Sequence, residues 1–347
     1  MPTATRPRKS QRVTVRDIAD AAGVSIATVS YVLNGRGAIS EETKRRIQKV
    51  VKRLGYRQNQ AARTMKTGRT AIIGLVFPNI ENPFFASLAR SILNEAQLSG
   101  YQTFLVDTEG SHDREREVVT GLLQHGVDGI VWFPVDDEDT LTNVGVDVPL
   151  VVLDRELPGQ DLVQAEYYAG GTTTAEYLIA LGHRRFGLLE GPQAVGNARE
   201  RSKGFVDAVG DSSKIAWRLE HAYTMHLSEE ARERLLARDV TAVVCGNDLI
   251  AIGALSLFQM HGISVPREVS VVGFDDIPFA RMISPTLTTV RMPFEEMGRE
   301  AVRLLLRRLA EEQAGPRSQI TLGIELVERA STAAPPTIRL ENARMAK

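Results

Sequence analysis

Residues 13–34 read VTVRDIADAAGVSIATVSYVLN, a pattern that predicts two short helices joined by a tight turn. Thr14 is placed to cap the first helix, with Asp17 three residues later as its capping-box partner. Gly23 supplies the left-handed backbone that a sharp turn requires, and Ser25 caps the second helix. A helix-turn-helix of this kind presents its second helix to a DNA major groove. An ordinary helical corner of a globular domain is the alternative.

In the second predicted helix, Val29 and Val32 lie on the side that we expect to be buried. Its other side carries small and polar groups, which are of the size that reaches base edges in a groove. If the segment binds DNA, the expected contacts are Thr14, Ser25, Ile26, Ala27, Thr28, Ser30, Tyr31 and Asn34.

Charge is distributed unevenly along the chain. Residues 1–70 carry 16 Lys and Arg against 4 Asp and Glu, a net charge of +12. The other residues carry a net charge of −13, although the whole chain has a net charge of only −1. A basic head on an acidic body is typical of nucleic-acid binding. A third predicted helix, capped by Ser40 and apolar at Ile47, Val50 and Leu54, completes this head.

From residue 71 the pattern changes to short apolar runs, which predict buried strands. These runs occupy 71–77, 103–106, 129–133, 150–153, 186–189, 242–245 and 269–274. Predicted helices separate them at 83–98, 114–125, 171–181, 199–209, 228–237 and 248–260. Alternating strands and helices predict parallel sheets that are covered on both faces. Roughly 270 residues is long for one such sheet, so we expect two α/β lobes.

Ligands of open parallel sheets bind at the carboxyl ends of the strands. In this sequence those positions are 79–81, 107, 133–136, 154–155, 190–193, 247–248 and 275–276. Two facing lobes would gather these strand ends around one cleft. Its mixture of aromatic and hydrogen-bonding side chains suits a sugar or a nucleobase.

The head contains four motifs: VTVRDIAxxAGVSxxTVSxVLN, ISEETKRRI, LGY and NxxARxMKTGRT. Through them the run from Val13 to Thr70 resembles the lactose/galactose repressor family of bacterial transcription regulators, and the resemblance continues at lower density to about Arg329. It implies an α plus α/β fold, in which a three-helix helix-turn-helix head and a hinge helix precede two doubly wound parallel-sheet subdomains like those of periplasmic sugar-binding proteins. It also implies a homodimer on a pseudo-palindromic operator in double-stranded DNA. A small-molecule effector, a sugar or sugar derivative, would control that binding.

The resemblance and the composition together give the expected domain boundaries. They are a basic leader over 1–12, the helix-turn-helix domain over 13–58, a hinge helix or linker over 59–70, an effector-binding and dimerisation domain over 71–332, and a tail over 333–347. Within the effector-binding and dimerisation domain, the first lobe takes 71–163 and 291–320, and the second takes 164–290 and 321–332.

On the hinge, DNA contacts are expected from Asn59, Arg63 and Met65. Family members usually have Leu at the position of Met65, where it wedges between central base pairs in the minor groove. Met is apolar and flexible, so it is able to fill the same role. The alternative is a linker residue that packs against the body.

Effector contacts are expected from the strand-end residue Asn79 and, by resemblance, from Phe84, Phe85, Asp154, Arg201, Tyr223, Asn247 and Asp275. The residues alone leave alternatives: core positions for the two phenylalanines, a surface salt bridge for Arg201 and a helix cap for Asp275. The chain also departs from the family pattern at Ala165-Glu166, where Asp-Asn is frequent, and at Val195, where some members have a polar residue. The identity of the effector is therefore not transferable from a relative.

The sequence shows little sign of catalysis. We find no GxGxxG after a strand, no GxxxxGK[ST] loop and no GxSxG elbow. The six histidines show no i, i+4 pair, and a single cysteine forms neither a disulfide nor a thiolate metal site. We therefore expect no enzyme activity, cofactor or metal; a small-molecule-binding protein or enzyme on the same two-lobed body is the alternative. With no secretory segment and no 18-residue apolar run, we expect a cytoplasmic protein without a membrane partner.

Overall fold

The computed structural model describes residues 13–33, 37, 39–56, 64, 68–210, 213–311 and 315–336. The chain forms two compact units that divide between Thr70 and Ala71. Outside the described residues lie the basic leader, most of the hinge, the end of the tail and the candidate DNA contacts Asn34, Asn59, Arg63 and Met65.

The first unit contains three helices: α1 (Val15–Ala22), α2 (Ile26–Leu33) and α3 (Glu41–Leu54). The predicted capping box is present, because Asp17 N donates to Thr14 Oγ1 at 3.3 Å and Thr14 N donates to the Asp17 carboxylate at 2.7 Å. Gly23 adopts the left-handed conformation, with φ 64°. The helix-turn-helix predicted from the sequence is confirmed.

The core of this unit is small. Ile18, Val29 and Ile47, one from each helix, are fully buried against one another. The Ser40 side chain caps α3 by accepting from Thr43 N at 3.3 Å. Caps and one apolar cluster are sufficient to fix the short helices of so small a domain.

The second unit contains two six-stranded sheets, with strands numbered in chain order. The sheet of the first lobe has the order β11-β5-β4-β3-β1-β2, and all its pairs are parallel. Its strands are β1 (Ile72–Phe77), β2 (Gln102–Asp107), β3 (Gly129–Trp132), β4 (Leu150–Leu153), β5 (Asp161–Ala165) and β11 (Gln319–Leu322). The helices α4 (Pro83–Leu98), α5 (His112–Gln124) and α10 (Phe294–Ala310) pack against it.

The sheet of the second lobe has the order β12-β10-β9-β8-β6-β7 and is parallel except for β12, which runs antiparallel to β10. Its strands are β6 (Arg185–Glu190), β7 (Lys214–Glu220), β8 (Ala242–Cys245), β9 (Ser270–Asp275), β10 (Thr288–Arg291) and β12 (Glu325–Val327). Its helices are α6 (Tyr167–Ala180), α7 (Gly196–Val209), α8 (Glu229–Leu236) and α9 (Asp248–Met260). The predicted pair of doubly wound α/β lobes is confirmed.

The chain passes between the sheets after Ala165, after Arg291 and after Leu322. These passages lie one or two residues beyond the expected lobe boundaries at 163, 290 and 320. The reason is that the hydrogen-bonded pairing of the crossing strands extends past those boundaries. Strands β5 and β11 remain paired as far as Ala165 and Leu322.

One strand differs from expectation in its burial. Strand β2 is an edge strand, and its side chains Phe104 and Leu105 are 41% and 42% exposed. The prediction that every strand is covered on both faces is therefore wrong for β2 in the single chain. Apolar side chains left open on a sheet edge indicate a surface that a partner covers.

Candidate ligand cleft and nucleic-acid interface

Strand ends of both lobes surround one cavity of about 860 Å³. Seven of the eight candidate effector residues line it: Asn79, Phe84, Phe85, Arg201, Tyr223, Asn247 and Asp275. The eighth, Asp154, lines a neighbouring cavity of about 710 Å³. The carboxyl ends of the strands thus meet at one site, although their residues lie up to almost 200 positions apart in the sequence.

Close helix packing positions Arg201 on α7. A Cβ atom at Gly171 of α6 would overlap the Arg201 carbonyl oxygen, and one at Gly204 would overlap the backbone of α6. Glycine at both positions therefore permits the approach. The Arg201 guanidinium donates to the carbonyl oxygens of Gly246 and Asn197. With only 7% of its surface exposed, Arg201 does not form the surface salt bridge that was the alternative.

Three aromatic rings surround the Arg201 guanidinium. Its carbon lies 4.2 Å from the ring centroid of Phe274, 4.9 Å from that of Tyr167 and 5.7 Å from that of Tyr223. Asp275 Oδ1 lies 3.7 Å from Arg201 Nη1, which makes an ion pair without a hydrogen bond. Ring faces and a carboxylate therefore stabilise a buried cation at the cleft wall.

Asp275 ends β9 on strained backbone, with φ 111°. Its Oδ1 is buried and has no hydrogen-bond partner among the described residues. The next short helix, Pro278–Arg281, has no side-chain cap, so the capping alternative for Asp275 does not hold. Strain of this kind costs about 1–3 kcal/mol and occurs most often at functional sites.

Two carboxyl groups have raised pKa values here. Burial raises the pKa of Asp275 to about 7, with the Arg201 charge acting in the opposite direction and the Asp154 charge adding to the increase. Burial also raises the pKa of Asp154 to about 6, although the Tyr167 hydroxyl donates to its Oδ2 and Ala165 N donates to its Oδ1. Both groups hold protons more tightly than exposed aspartates.

These pKa values predict a pH-dependent stability. An aspartate in the unfolded chain titrates near 3.9, so between about pH 4 and pH 7 the folded state holds protons that the unfolded state has released. We expect the contribution of these two groups to the free energy of unfolding to fall as the pH rises through this window. Asp275→Asn should reduce the total change in the free energy of unfolding between about pH 4 and pH 7 by a few kcal/mol.

Urea unfolding followed by tryptophan fluorescence measures the slope of the free energy of unfolding against pH in the second unit, because the two tryptophans, Trp132 and Trp217, both lie there. The exposed Asp147, replaced by Asn, is the matched control and should leave the slope unchanged. An equal slope in wild type and Asp275→Asn would show that Asp275 does not titrate in this range.

The first-lobe wall of the cleft is aromatic. Phe85 packs edge-on against Phe133 at 4.9 Å between centroids and against Phe84 at 5.0 Å. Phe84 is 5% exposed and belongs to the core cluster, whereas Phe85 packs at its margin. Both line the cavity, and Phe85 offers the larger free face to a ligand ring.

The opposite wall contains Tyr223, whose hydroxyl group is buried and has no hydrogen-bond partner among the described residues. A Cβ atom at Gly191 would overlap this ring, so the glycine allows the tyrosine to approach β6. Asn247 caps α9 by accepting from Ile250 N at 3.0 Å. Val195, one departure from the family pattern, also faces this cavity and offers no polar group.

Two polar residues of the cleft received no role from the sequence. Arg155 and Asn197 line both cavities and are 5% and 8% exposed. Arg155 Nε and Asn197 Oδ1 are buried without a hydrogen-bond partner among the described residues. Arg155 lay within an expected strand end, but its burial against Phe133, 4.9 Å from the guanidinium to the ring centroid, could not be read from the sequence.

A loop of the first lobe reaches the second lobe through Asp137. Its carboxylate accepts from Arg199 Nη2 at 2.5 Å and from Gly196 N at 3.0 Å, both on α7. The buried Glu115 anchors this loop by accepting from the backbone N of Val135 at 3.1 Å. We call the contacts of Asp137 with α7 the interlobe latch, because they join the lobes beside the cleft.

On the first unit, the candidate DNA contacts occupy one surface of α2. Ser25, Ile26, Ala27 and Tyr31 are exposed, while Thr28 is half-buried and donates its N–H to Ser25 Oγ at 3.1 Å. The large side chains Ile26 and Tyr31 are 46% and 51% exposed. The exposed apolar side chains and the Tyr31 hydroxyl group on this helix suit thymine methyl groups and base edges.

Each of the two units matches a known protein family. Residues 14–59 match the model of bacterial regulatory proteins of the lacI family, and residues 175–332 match that of the periplasmic binding protein-like domain. The HTH-type transcriptional repressor PurR of Mannheimia succiniciproducens is 32% identical over 329 residues, covering 92% of this chain and 98% of the relative.

Solved structures agree as well. The lac repressor dimer bound to operator and the anti-inducer ONPF has a TM-score of 0.79 and 25% identity, covering 93% of this chain and all of the other. A complex of the transcriptional regulator CelR with cellobiose has a TM-score of 0.67 and 30% identity over 92% of this chain and all of the other.

A helix-turn-helix head joined to a two-lobed body with an interlobe cleft defines a DNA-binding transcriptional regulator. The chain belongs to the lacI family of bacterial regulatory proteins. The described helices include none with the length and apolar character needed to cross a membrane.

Proposed function

We propose that the protein is a repressor that binds its operator as a homodimer in the cytoplasm, under the control of a sugar or sugar derivative in the interlobe cleft. The observation that carries this proposal is the buried pair of Arg201 and Asp275 beside an open cavity, with Asp275 Oδ1 unpartnered among the described residues. A buried acceptor left without a partner costs about 1–3 kcal/mol. A ligand hydroxyl group that donates to it recovers this energy.

The effector contacts proposed are those that line the cleft. Arg201 and Asp275 bind ligand oxygens from the second lobe, and Phe85 packs against a ring face from the first. The related complex of CelR with cellobiose supports a carbohydrate as the ligand. Asp154 acts indirectly, since its carboxylate is already occupied by the Tyr167 hydroxyl.

The DNA contacts proposed lie on α2 and on the hinge. Ile26, Ala27 and Tyr31 select bases, because their side chains are exposed on the recognition helix. The basic residues of α3 contact phosphates, where they add affinity without sequence preference. The lac repressor dimer on its operator supports this arrangement.

Exposed apolar side chains support the dimer. In the first lobe Leu98 is 82% exposed near the open edge of β2, and in the second lobe Met260 and Met282 are 67% and 74% exposed. Exposed apolar side chains that lie together on a surface are typical of a contact with another protein. We assign these surfaces of both lobes to the second copy of the chain.

Control of DNA binding follows from a shift between two arrangements of the lobes. The effector contacts both walls of the cleft, so it binds one arrangement better than the other. The interlobe latch at Asp137 exists only when α7 lies beside the loop after β3, so its energy also depends on the arrangement. Movement of the lobes then orders or melts the hinge helices of the dimer.

Operator selection followed by a ligand screen tests the proposal. Full-length protein should bind a selected palindromic duplex in preference to random duplexes at about 0.15 M salt, a physiological ionic strength. At least one sugar or sugar derivative should then change that affinity. Equal affinity for random and selected duplexes, or no response to any compound in the screen, would contradict it.

Met65→Ala tests the hinge separately. We expect lower operator affinity and a smaller bend, because a wedge unstacks a base step at a cost of a few kcal/mol that the bend contacts offset. Effector affinity should stay unchanged. Gel shifts with circularly permuted fragments measure the bend, and an unchanged bend and affinity would make Met65 a linker residue.

A further inference from the structure

A second cavity of about 710 Å³ also lies between the lobes, and we call it the second chamber. First-lobe strands β5 and β11 contribute Gln164 and Thr321 to it, and the second-lobe helices α6 and α7 contribute Ala169 and Glu200. Arg155 and Asn197 line both this chamber and the larger cleft. We call these two the waist residues.

The waist residues carry a donor and an acceptor that make no hydrogen bond within the described part of the chain. Arg155 Nε lies 3.7 Å from Asp137 Oδ1, which is too far for a hydrogen bond. Neither Arg155 Nε nor Asn197 Oδ1 has a hydrogen-bond partner among the residues that the structure describes, although both side chains are more than nine-tenths buried. The hydroxyl groups of a ligand can accept from the first atom and donate to the second.

Carboxylates outnumber cations around both cavities. In the second chamber Arg155 and Arg199 face the carboxyl groups of Asp137, Asp154, Glu156, Glu166 and Glu200. In the larger cleft Arg155 and Arg201 face those of Glu81, Asp107, Asp136 and Asp275, and the Glu109 carboxylate is paired with Arg114. An anionic ligand would meet like charge in either space, and like-charge contacts are strongly unfavourable.

We propose that the effector is an uncharged oligosaccharide of two or more rings, with one ring in the larger cleft, the next in the second chamber and a hydroxyl group at the waist. The inference rests on the proposed function, which places the effector between the lobes. Each cavity by itself has a volume within the roughly 300–1,000 Å³ of a small-molecule site. One sugar ring therefore leaves the second chamber and the waist groups without partners.

Titration calorimetry on the full-length protein tests the length and charge of the ligand. The probes are matched mono-, di- and trisaccharides of α-glucosyl, β-glucosyl, galactosyl and xylosyl series, with glucose 6-phosphate and the free nucleobases. In at least one series the di- or trisaccharide should bind ten-fold or more tightly than its monosaccharide. The phosphorylated sugar should bind at least ten-fold more weakly than glucose, or not at all.

Variants that fill the second chamber test where the additional ring lies. Ala169→Phe, and Glu200→Trp at an exposed position that tolerates the change, should remove the preference for the longer ligand. Monosaccharide affinity should stay within about two-fold in both variants. Lys214→Ala, an exposed position at the start of β7 that lines neither cavity, is the control and should keep the preference.

The outcomes separate the inference from the proposed function. Equal affinity for mono- and oligosaccharides, a preference that survives both filled chambers, or binding of only a phosphorylated sugar or a nucleobase overturns the inference. If such a compound still changes operator affinity, the proposed effector control stands. If no compound changes operator affinity, the proposed function fails as well.

Discussion

Arg201→Ala should abolish the response of operator binding to the effector while leaving operator binding itself intact. Arg201 is buried between three rings and Asp275, and its planar fork is able to bind two ligand oxygens at once. Removing a charged hydrogen-bond partner costs about 1.5–3 kcal/mol, which is roughly 10–150-fold in affinity. The phenotype is a permanent repressor if the effector induces, and a non-repressing protein if it corepresses.

Two further variants support the interpretation of this result. Lys203→Ala changes an exposed cation on the same helix, paired only with Asp207 among described carboxylates, and should respond normally. Arg201→Lys keeps the charge but loses the planar fork, so it should fold and still bind the effector poorly. Calorimetry gives the affinities. Wild-type affinity in Arg201→Ala and in Asp275→Ala would show that the ligand lies elsewhere.

Tyr31→Ala should relax base selection at one position of each half-site. The ring is half exposed on α2, and its hydroxyl group both donates and accepts. Loss of a good base contact costs about 1–3 kcal/mol of discrimination, or roughly 5–150-fold per half-site. Selection of bound sequences from a random library measures the effect, because the affected position should become degenerate while the others keep their preference.

Arg45→Ala provides the contrast, because Arg45 is exposed on α3 and its expected contact is a phosphate. This variant should bind all DNA sequences more weakly by a similar factor. The slope of log affinity against log salt concentration should become shallower by about one, the value for one lost phosphate contact. A Tyr31→Ala protein that shows the same uniform loss would place Tyr31 against the backbone instead of a base.

The head could be predicted from local sequence almost completely. Capping residues such as Thr14 and Ser40, the turn at Gly23 and the spacing of Ile18, Val29 and Ile47 are all short-range features. Local hydrogen bonds and helical periodicity determine such a unit. Most of the hinge lies outside the described residues, so its expected helix stays a prediction.

In the second unit, some strands could be predicted from the sequence and others could not. Buried strands such as β1 and β9 are continuous apolar runs, whereas β7 reads KIAWRLE and mixes charged with apolar residues. It was missed because it lies at the sheet edge, where one face meets solvent. Strands β5, β10, β11 and β12 were missed because their four- or three-residue ladders depend on pairing with other strands.

The candidate cleft shows the same limit. Strand ends such as Asn247 and Asp275 follow from the sequence pattern and the topology of parallel sheets. Arg155 and Asn197 become notable only through their burial without partners, and Asp137 only through its contact with α7. These properties depend on how the two lobes pack, which no local pattern encodes.

Reciprocal linkage is the most direct test of effector control over DNA binding. Fluorescence anisotropy gives the operator affinity with and without the effector, and calorimetry gives the effector affinity with and without the operator. Coupling between two sites is reciprocal, so both experiments should give the same factor, within the typical range of about 5–150-fold. An effector that binds free and operator-bound protein with equal affinity would contradict the account.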